Sequence, residues 1–321
     1  MSPARAILLG LAALAAPAGL AQPVHLNLGE RPESRPAEVI PHLRVDAALA
    51  LVPVHVTTSA GMPVTGLERS DFRILVDGAE QPVTYLVRDD APISIGLVFD
   101  TSGSMQHKLR KAAEAAAAFF KTATLEDEFF LVEFSERPKL AVPFTADSGE
   151  LFQRIARAYA HGRTSLFDAV YLGLEQMKQA RHPRRAMIVL SDGGDNRSRH
   201  TFKQVENALL ESEVQIYAMG VFDSMGEGRR VSREEREGPQ LLERLAQQSG
   251  GRHFPVPGMD QLPAIAERVG EELRNQYLVG FAPPDGGRDG KYHRVQVVVT
   301  PREGQPRLRV EHRPGYRAPS E

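Results

Sequence analysis

Short apolar stretches alternate with helical patterns from residue 91 to residue 275, and this alternation is the strongest constraint on the fold. Residues 93–100 and 186–190 are almost continuously apolar, as expected of strands buried on both faces. Residues 105–121 have an alanine-rich helical pattern, whereas 223–238 carry mixed charges without an apolar stripe and are predicted to be a solvated loop. The alternation predicts an α/β domain with a doubly wound, mostly parallel sheet.

Strand patterns flank this region on both sides. Alternating valines mark them: Val52, Val54 and Val56 before it, and Val295, Val297 and Val299 after it. Each flank alone is too small for an independent core, so the two are expected to pair. The sequence therefore predicts that the α/β domain, residues 91–275, is inserted in a small antiparallel β-sandwich-like domain. Its N-terminal strands would come from residues 42–90 and its C-terminal strands from residues 276–316.

The N-terminus has the order of features found in secretory signals. Arg5 precedes an apolar run at residues 6–16, and small residues follow. A buried or amphipathic helix is the alternative, but the polar face of an amphipathic helix is missing. The run is too short to span a bilayer comfortably, and no later segment is long and apolar enough. We therefore predict a signal peptide at residues 1–21, a linker at 22–41, and export to the periplasm or the medium.

Charge and composition exclude several classes of function. The formal net charge is −2, so the sequence offers no concentrated basic character of the kind that nucleic acids or anionic membranes attract. The chain has no cysteine, which excludes disulfides, thiolate catalysis and zinc–thiolate sites. Its ten histidines show no metal-ligand spacing. Most of the histidines are therefore predicted to be surface or structural residues.

Oxygen-bearing side chains cluster at the ends of two predicted strands. Asp100 ends the first strand, and Ser102 and Ser104 follow it at alternate positions. Asp192 ends a later strand, and Thr164 stands directly before a predicted helix. In a doubly wound sheet the loops at the carboxyl ends of the strands converge. The five residues are therefore predicted to form one site.

Two carboxylates and three hydroxyls suit Mg²⁺, which accepts hard oxygen ligands and keeps several waters. Mn²⁺ and Ca²⁺ are alternatives. Because this set leaves the ion underneutralised, an open position would attract a carboxylate from a partner protein. The competing interpretation is that residues 100–104 provide only a turn and a helix start. Asp168 has capping-box spacing from Ser165 and is predicted to cap a helix. Asp195 is predicted to be a solvated loop residue, or at most an outer-shell group of the metal site.

The pattern Asp100-x-Ser102-x-Ser104, with Thr164 in Gly-x-Thr-Ser-Leu and Asp192 in Ser-Asp-Gly, resembles the metal-ion-dependent adhesion site of von Willebrand factor type A (VWA) domains. That family has a Rossmann-like α/β fold and also occurs in integrins, and the resemblance covers residues 93–275. It implies that the serines and the threonine ligate the metal directly and that the aspartates act mainly through water. The flanking segments resemble a bacterial, acidobacterial-type group of exported proteins with this domain.

The leading hypothesis is an exported, metal-dependent adhesion-type module that binds a partner protein through an Asp or Glu carboxylate and is not an enzyme. A metal-assisted hydrolase is the first alternative, and it would need a general base or an activated nucleophile near the metal. His107 follows Ser104 by one turn, but a histidine on a helix surface is the simpler interpretation. A scaffold whose metal site does not function is the second alternative.

Overall fold

The computed structural model describes residues 49–222, 233–283, 289–301 and 307–318. The predicted signal peptide and linker lie outside these ranges. Fourteen strands are described: β1 (Ala50–Thr58), β2 (Phe72–Val76), β3 (Ala79–Gln81), β4 (Tyr85–Asp89), β5 (Ile93–Asp100), β6 (Glu128–Phe134), β7 (Pro138–Thr145), β8 (Arg184–Ser191), β9 (Val214–Val221), β10 (Arg252–Val256), β11 (Gln276–Phe281), β12 (Tyr292–Val299), β13 (Leu308–His312) and β14 (Gly315–Arg317). Six α-helices are described: α1 (Leu109–Phe120), α2 (Ser148–Ala156), α3 (Leu166–Met177), α4 (Phe202–Glu211), α5 (Arg233–Ser249) and α6 (Leu262–Arg274).

A six-stranded sheet forms the centre of the molecule, with strand order β10-β9-β8-β5-β6-β7. All neighbours are parallel except β6 and β7, which are antiparallel. Every residue of β5 and β9 is buried, because α1, α2 and α6 pack on one face of the sheet and α3, α4 and α5 on the other. The predicted doubly wound, mostly parallel sheet is confirmed.

Two four-stranded antiparallel sheets form a sandwich from the two ends of the described chain. Their strand orders are β13-β1-β11-β4 and β14-β12-β2-β3. The N-terminal strands pair with the C-terminal ones directly, since β1 lies between β11 and β13, and β2 pairs with β12. The alternating valines of β1 and β12 point into a shared core. The prediction of an α/β domain inserted in a β-sandwich-like domain is confirmed.

The sandwich meets the central sheet near the amino ends of the parallel strands. Arg184, at the start of β8, forms an ion pair with Asp89 of β4 at 2.9 Å and donates to the carbonyls of Ala91 and Leu273 at 2.5 and 2.6 Å. His55 of β1 and Tyr217 of β9 form a buried hydrogen bond. These contacts leave the opposite edge, at the carboxyl ends of the strands, uncovered by the sandwich.

Two helix boundaries differ from the prediction. Residues 103–105 form a single 3₁₀ turn, and α1 begins only at Leu109. The charged stretch predicted as a loop at 223–238 is helical from residue 233 as the start of α5, and residues 223–232 lie outside the described ranges. Arg and Glu favour helices without supplying an apolar stripe. The buried stripe of α5, which includes Leu242 and Leu245, begins after those charged turns, so periodicity placed the helix start too late.

Candidate metal centre

The five predicted ligands lie at the carboxyl edge of the central sheet. Asp100 is the last residue of β5, and Asp192 directly follows β8. These two strands are parallel neighbours, so their ends meet at the same edge. Ser102 and Ser104 lie in the loop after β5, residues 101–108, which we call the first loop. Thr164 is the second-last residue of the second loop, residues 157–165. Asp192 is the first residue of the third loop, residues 192–201.

Asp100 is fully buried, and both of its carboxylate oxygens are held by hydrogen bonds. The backbone N–H of Ser102 donates to Oδ1 at 2.8 Å, and the hydroxyl of Ser191 donates to Oδ2 at 2.6 Å. Each oxygen retains a lone pair. The carboxylate is therefore fixed in orientation and can still accept a hydrogen bond from a water bound to a metal.

The hydroxyls of Ser102 and Ser104 converge. Their Oγ atoms are 3.1 Å apart, a hydrogen-bond distance that also brings two neutral oxygen donors to one point. Ser102 is fully buried, whereas Ser104 is exposed. One side of this pair is thus anchored in the protein and the other is accessible to solvent and to a partner.

Backbone and amide hydrogen bonds tie the three loops together. The N–H of Gly103 in the first loop donates to the carbonyl of Gly162 in the second at 3.1 Å. The second and third loops are joined by two hydrogen bonds between Thr164 and Asn196. The Thr164 N–H donates to Asn196 Oδ1 at 3.1 Å, and the Asn196 N–H donates to the Thr164 carbonyl at 3.0 Å. Thr164 is buried and is held between the loops that carry the other four residues.

Two carboxylates oppose each other at this edge. Burial, and after it the negative charge of Asp192, raise the pKa of Asp100 to about 7, against hydrogen bonds from Ser102 and Ser191 that lower it. A cation beside both groups would relieve this repulsion. Among the described residues no cluster of three or more His, Cys, Asp or Glu could hold a metal. The predicted donor set combines two carboxylates with three neutral hydroxyls, which fits Mg²⁺ better than Zn²⁺.

Gly193 shapes the third loop immediately after Asp192. Its φ of +76° lies in the left-handed region, which L side chains rarely adopt. A Cβ at this position would lie 2.5 Å from the carbonyl oxygen of Gly238 in α5. The N–H of Gly193 donates to the hydroxyl of Ser191 at 3.0 Å, the same hydroxyl that holds Asp100. The glycine thus allows the third loop to approach α5 closely and supports Asp100 through Ser191.

Asp168 does not cap its helix through a capping box, and that prediction is wrong. Ser165 makes no capping hydrogen bond, because its hydroxyl donates to the carbonyl of Ser135 at 2.8 Å. Asp168 instead accepts hydrogen bonds from the third loop: from the N–H of Arg199 at 3.0 Å and of His200 at 2.9 Å, and from the His200 ring at 2.7 Å. It anchors the third loop on α3 and is not placed as a metal ligand.

Asp195 is half-buried rather than fully solvated. Its carboxylate accepts a hydrogen bond from the N–H of Phe167 at 3.3 Å and from the hydroxyl of Ser198 at 2.5 Å. It therefore satisfies part of the N-terminus of α3 from the third loop. The capping residue comes from 28 positions along the chain, which sequence spacing within the helix could not indicate.

Sequence reasoning assigned no role to Ser191 or Asn196. Ser191 links Asp100 to Gly193, and Asn196 joins the second and third loops. The only signal for Ser191 was its position directly before Asp192 at the end of an apolar strand. Asn196 offered none, because its role depends on a contact with Thr164 across 32 positions.

The von Willebrand factor type A domain model matches residues 94–268 of the chain. The chain belongs to the von Willebrand factor type A domain family. The match spans β5 to α6 and contains all five predicted ligands. No curated protein matches this VWA chain in sequence. None of the helices in the described ranges is both long and apolar enough to cross a bilayer.

Several solved structures are similar to parts of the chain. A von Willebrand factor type A protein from Catenulispora acidiphila is 15% identical over 85% of this chain and 74% of its own, with a TM-score of 0.49. BatB from Bacteroides thetaiotaomicron is 17% identical over 57% and 100%, with a TM-score of 0.45. The vWF domain of the type V pili tip protein Mfa5 from Porphyromonas gingivalis is 13% identical over 57% and 95%, with a TM-score of 0.46. Such identities carry no function over to this chain.

Proposed function

We propose that this VWA protein is an exported protein-binding module in which a Mg²⁺ ion captures a carboxylate of a partner protein. The hydroxyls of Ser102, Ser104 and Thr164 would ligate the ion, and Asp100 and Asp192 would hold its waters. When bound, the ion supplies positive charge that neutral hydroxyls only partly offset, and this charge attracts an anionic oxygen. The export signal predicted at residues 1–21 is the basis for the location.

The observation that supports this proposal most is the geometry around Asp100. A buried carboxylate faces the charge of Asp192, and two hydroxyls converge at 3.1 Å in the adjoining loop. Buried like charges are costly unless a counter-ion is present. The residues of the chain meanwhile do the positioning: Ser191 orients Asp100, Gly103 and Gly162 join the loops, and Asn196 holds Thr164.

Ser104→Ala is expected to weaken Mg²⁺ binding by about tenfold to a hundredfold, the range seen when groups around a metal are removed. The variant deletes one exposed hydroxyl, whose hydrogen bond within the described ranges is the one with Ser102, so the fold should be kept. Isothermal titration calorimetry with Mg²⁺ measures the change. Ser70→Ala is a matched control, because Ser70 is also an exposed serine in a single 3₁₀ turn, in the sandwich domain.

Equal Mg²⁺ affinity of the Ser104→Ala and Ser70→Ala variants would contradict the proposed ligand set. An absence of any heat with Mg²⁺, Mn²⁺ or Ca²⁺ on the wild-type protein would favour the scaffold alternative. Turnover of ester or phosphate substrates that is lost in Ser104→Ala would favour the hydrolase alternative instead.

A further inference from the structure

A groove with basic walls lies beside the candidate metal centre. Its volume is about 260 Å³, several times the roughly 30 Å³ that one water occupies in the liquid, so it can admit side chains. The cationic residues that line it are Arg137, Lys139, Arg154 and Arg157. Arg137 directly precedes β7 and Lys139 lies in it, whereas Arg154 lies in the last turn of α2 and Arg157 directly follows that helix. We call it the basic groove.

The basic groove borders the first loop of the metal centre at Thr101. This residue lines the groove and stands between Asp100 and Ser102 in the chain. Its carbonyl accepts a hydrogen bond from the N–H of His161 at 2.8 Å, and His161 also lines the groove. The groove and the hydroxyl of Ser104 therefore adjoin the same first loop, so a partner bound at Ser104 could extend toward the groove.

The positive charge of the groove is largely uncompensated. Arg154 is paired with Glu133 at 2.5 Å. Arg137, Lys139 and Arg157 are exposed, and the described residues contain no carboxylate in an ion pair with any of these three. Since the whole chain has a net charge of −2, this excess of positive charge is a local feature.

We propose that the partner presents an acidic segment, with one carboxylate at the metal centre and further carboxylates in the basic groove. This inference rests on the proposed function and specifies the chemistry of the partner. The positive charges of the basic groove complement the carboxylates of such a segment, and the groove adjoins the site where the proposed ion would attract a carboxylate. Exposed ion pairs are individually weak, so the groove selects among carboxylate ligands and the metal centre provides the anchor.

The experiment compares two synthetic peptides on the full protein in Mg²⁺. Both carry one glutamate in a Ser/Gly background. The single-glutamate peptide has no other acidic residue, and the acidic peptide adds a run of aspartates. The groove variant is Arg137→Gln/Lys139→Gln/Arg157→Gln. The matched control is Arg69→Gln/Lys121→Gln/Arg309→Gln, which makes the same change in net charge at exposed positions outside the groove. Fluorescence anisotropy gives the affinities, and calorimetry checks that both variants bind Mg²⁺ as the wild type does.

The acidic peptide is expected to bind the wild type more tightly than the single-glutamate peptide. The groove variant should lose about tenfold of its affinity for the acidic peptide, as expected for a few exposed ion pairs, and none for the single-glutamate peptide. The control variant should bind both peptides as the wild type does. Raised salt should reduce the advantage of the acidic peptide.

Equal affinity of the two peptides for the wild type, or equal losses in the groove and control variants, would overturn the inference. So would a single-stranded DNA oligonucleotide that binds as tightly as the acidic peptide and is equally sensitive to the groove variant, because the groove would then be a general polyanion surface. Failure of the proposed function is seen separately. In that case the affinity of the single-glutamate peptide for the wild type is the same in EDTA as in Mg²⁺.

Discussion

Replacing Asp100 by asparagine is expected to abolish the response of the protein to Mg²⁺ without destabilising it in EDTA. The amide cannot supply the charge that holds the metal waters, so Mg²⁺ affinity should fall by about 100-fold, the upper end of the range for groups that act through a bound water. In EDTA, burial and Asp192 already disfavour the ionised Asp100, and a neutral side chain of the same shape avoids that cost. Thermal unfolding with Mg²⁺ and with EDTA measures both effects. At a concentration of about 100 times Kd, Mg²⁺ should stabilise the wild type by about 2.7 kcal/mol.

Asp168→Asn is the matched control at the same edge of the sheet. It removes one carboxylate that holds the third loop through Arg199 and His200, so it should lower stability and keep a Mg²⁺ response. A response of Asp100→Asn as large as that of the wild type would exclude Asp100 from the metal site. Destabilisation of Asp100→Asn in EDTA by several kcal/mol would show that the carboxylate is mainly structural.

His55→Gln is expected to remove a large pH dependence of stability. His55 is buried between the sandwich and the central sheet, and burial, with the nearby charges of Arg184 and Arg252, lowers its pKa to about 3. Below pH 6.5 the unfolded chain binds a proton that the folded chain does not, so folding stability is lost as the pH falls. At pH 5 the histidine should cost the wild type about 2 kcal/mol relative to pH 8. The glutamine variant lacks this loss.

The measurement is the free energy of unfolding in urea, for both proteins, from pH 8 to pH 5 in EDTA. The difference between wild type and variant is the informative quantity, because Glu272 acts in the opposite direction. Burial, more than the neighbouring Glu311, raises the Glu272 pKa to about 7, so its contribution to stability falls as the pH rises from about 4.5 to 7. His107→Gln controls for the loss of an exposed imidazole. A difference that stays constant from pH 8 to pH 5 would contradict the argument.

The sheet and the two acidic strand ends could be predicted because they depend on short-range patterns. Continuous apolar runs indicate strands buried on both faces, and a parallel sheet brings its strand ends to one edge. Asp100 and Asp192 follow from these two facts. The two aspartates come together because β5 and β8 are adjacent in the sheet. This adjacency depends on the strand order, which local sequence patterns do not determine.

The supports of the site could not be predicted, because they are contacts between distant loops. Asn196 acts on Thr164, Asp195 on Phe167, and Asp168 on His200, each across about 30 positions. Asp168 had the correct local spacing for a capping box, but a hydrogen bond from Ser165 to Ser135 removed its partner. Tertiary contacts of this kind override local motifs. The basic groove is a further example, since its cations come from two separate segments.

A pair of peptides tests directly whether Mg²⁺ at the carboxyl edge of the central sheet captures a carboxylate. The Ser/Gly peptide with a single glutamate is compared with the same peptide in which glutamine replaces that glutamate, in Mg²⁺ and in EDTA. We expect binding of the glutamate peptide in Mg²⁺, and none of the glutamine peptide in Mg²⁺ or of either peptide in EDTA. Equal binding of the two peptides, or binding of the glutamate peptide that persists in EDTA, would contradict the claim.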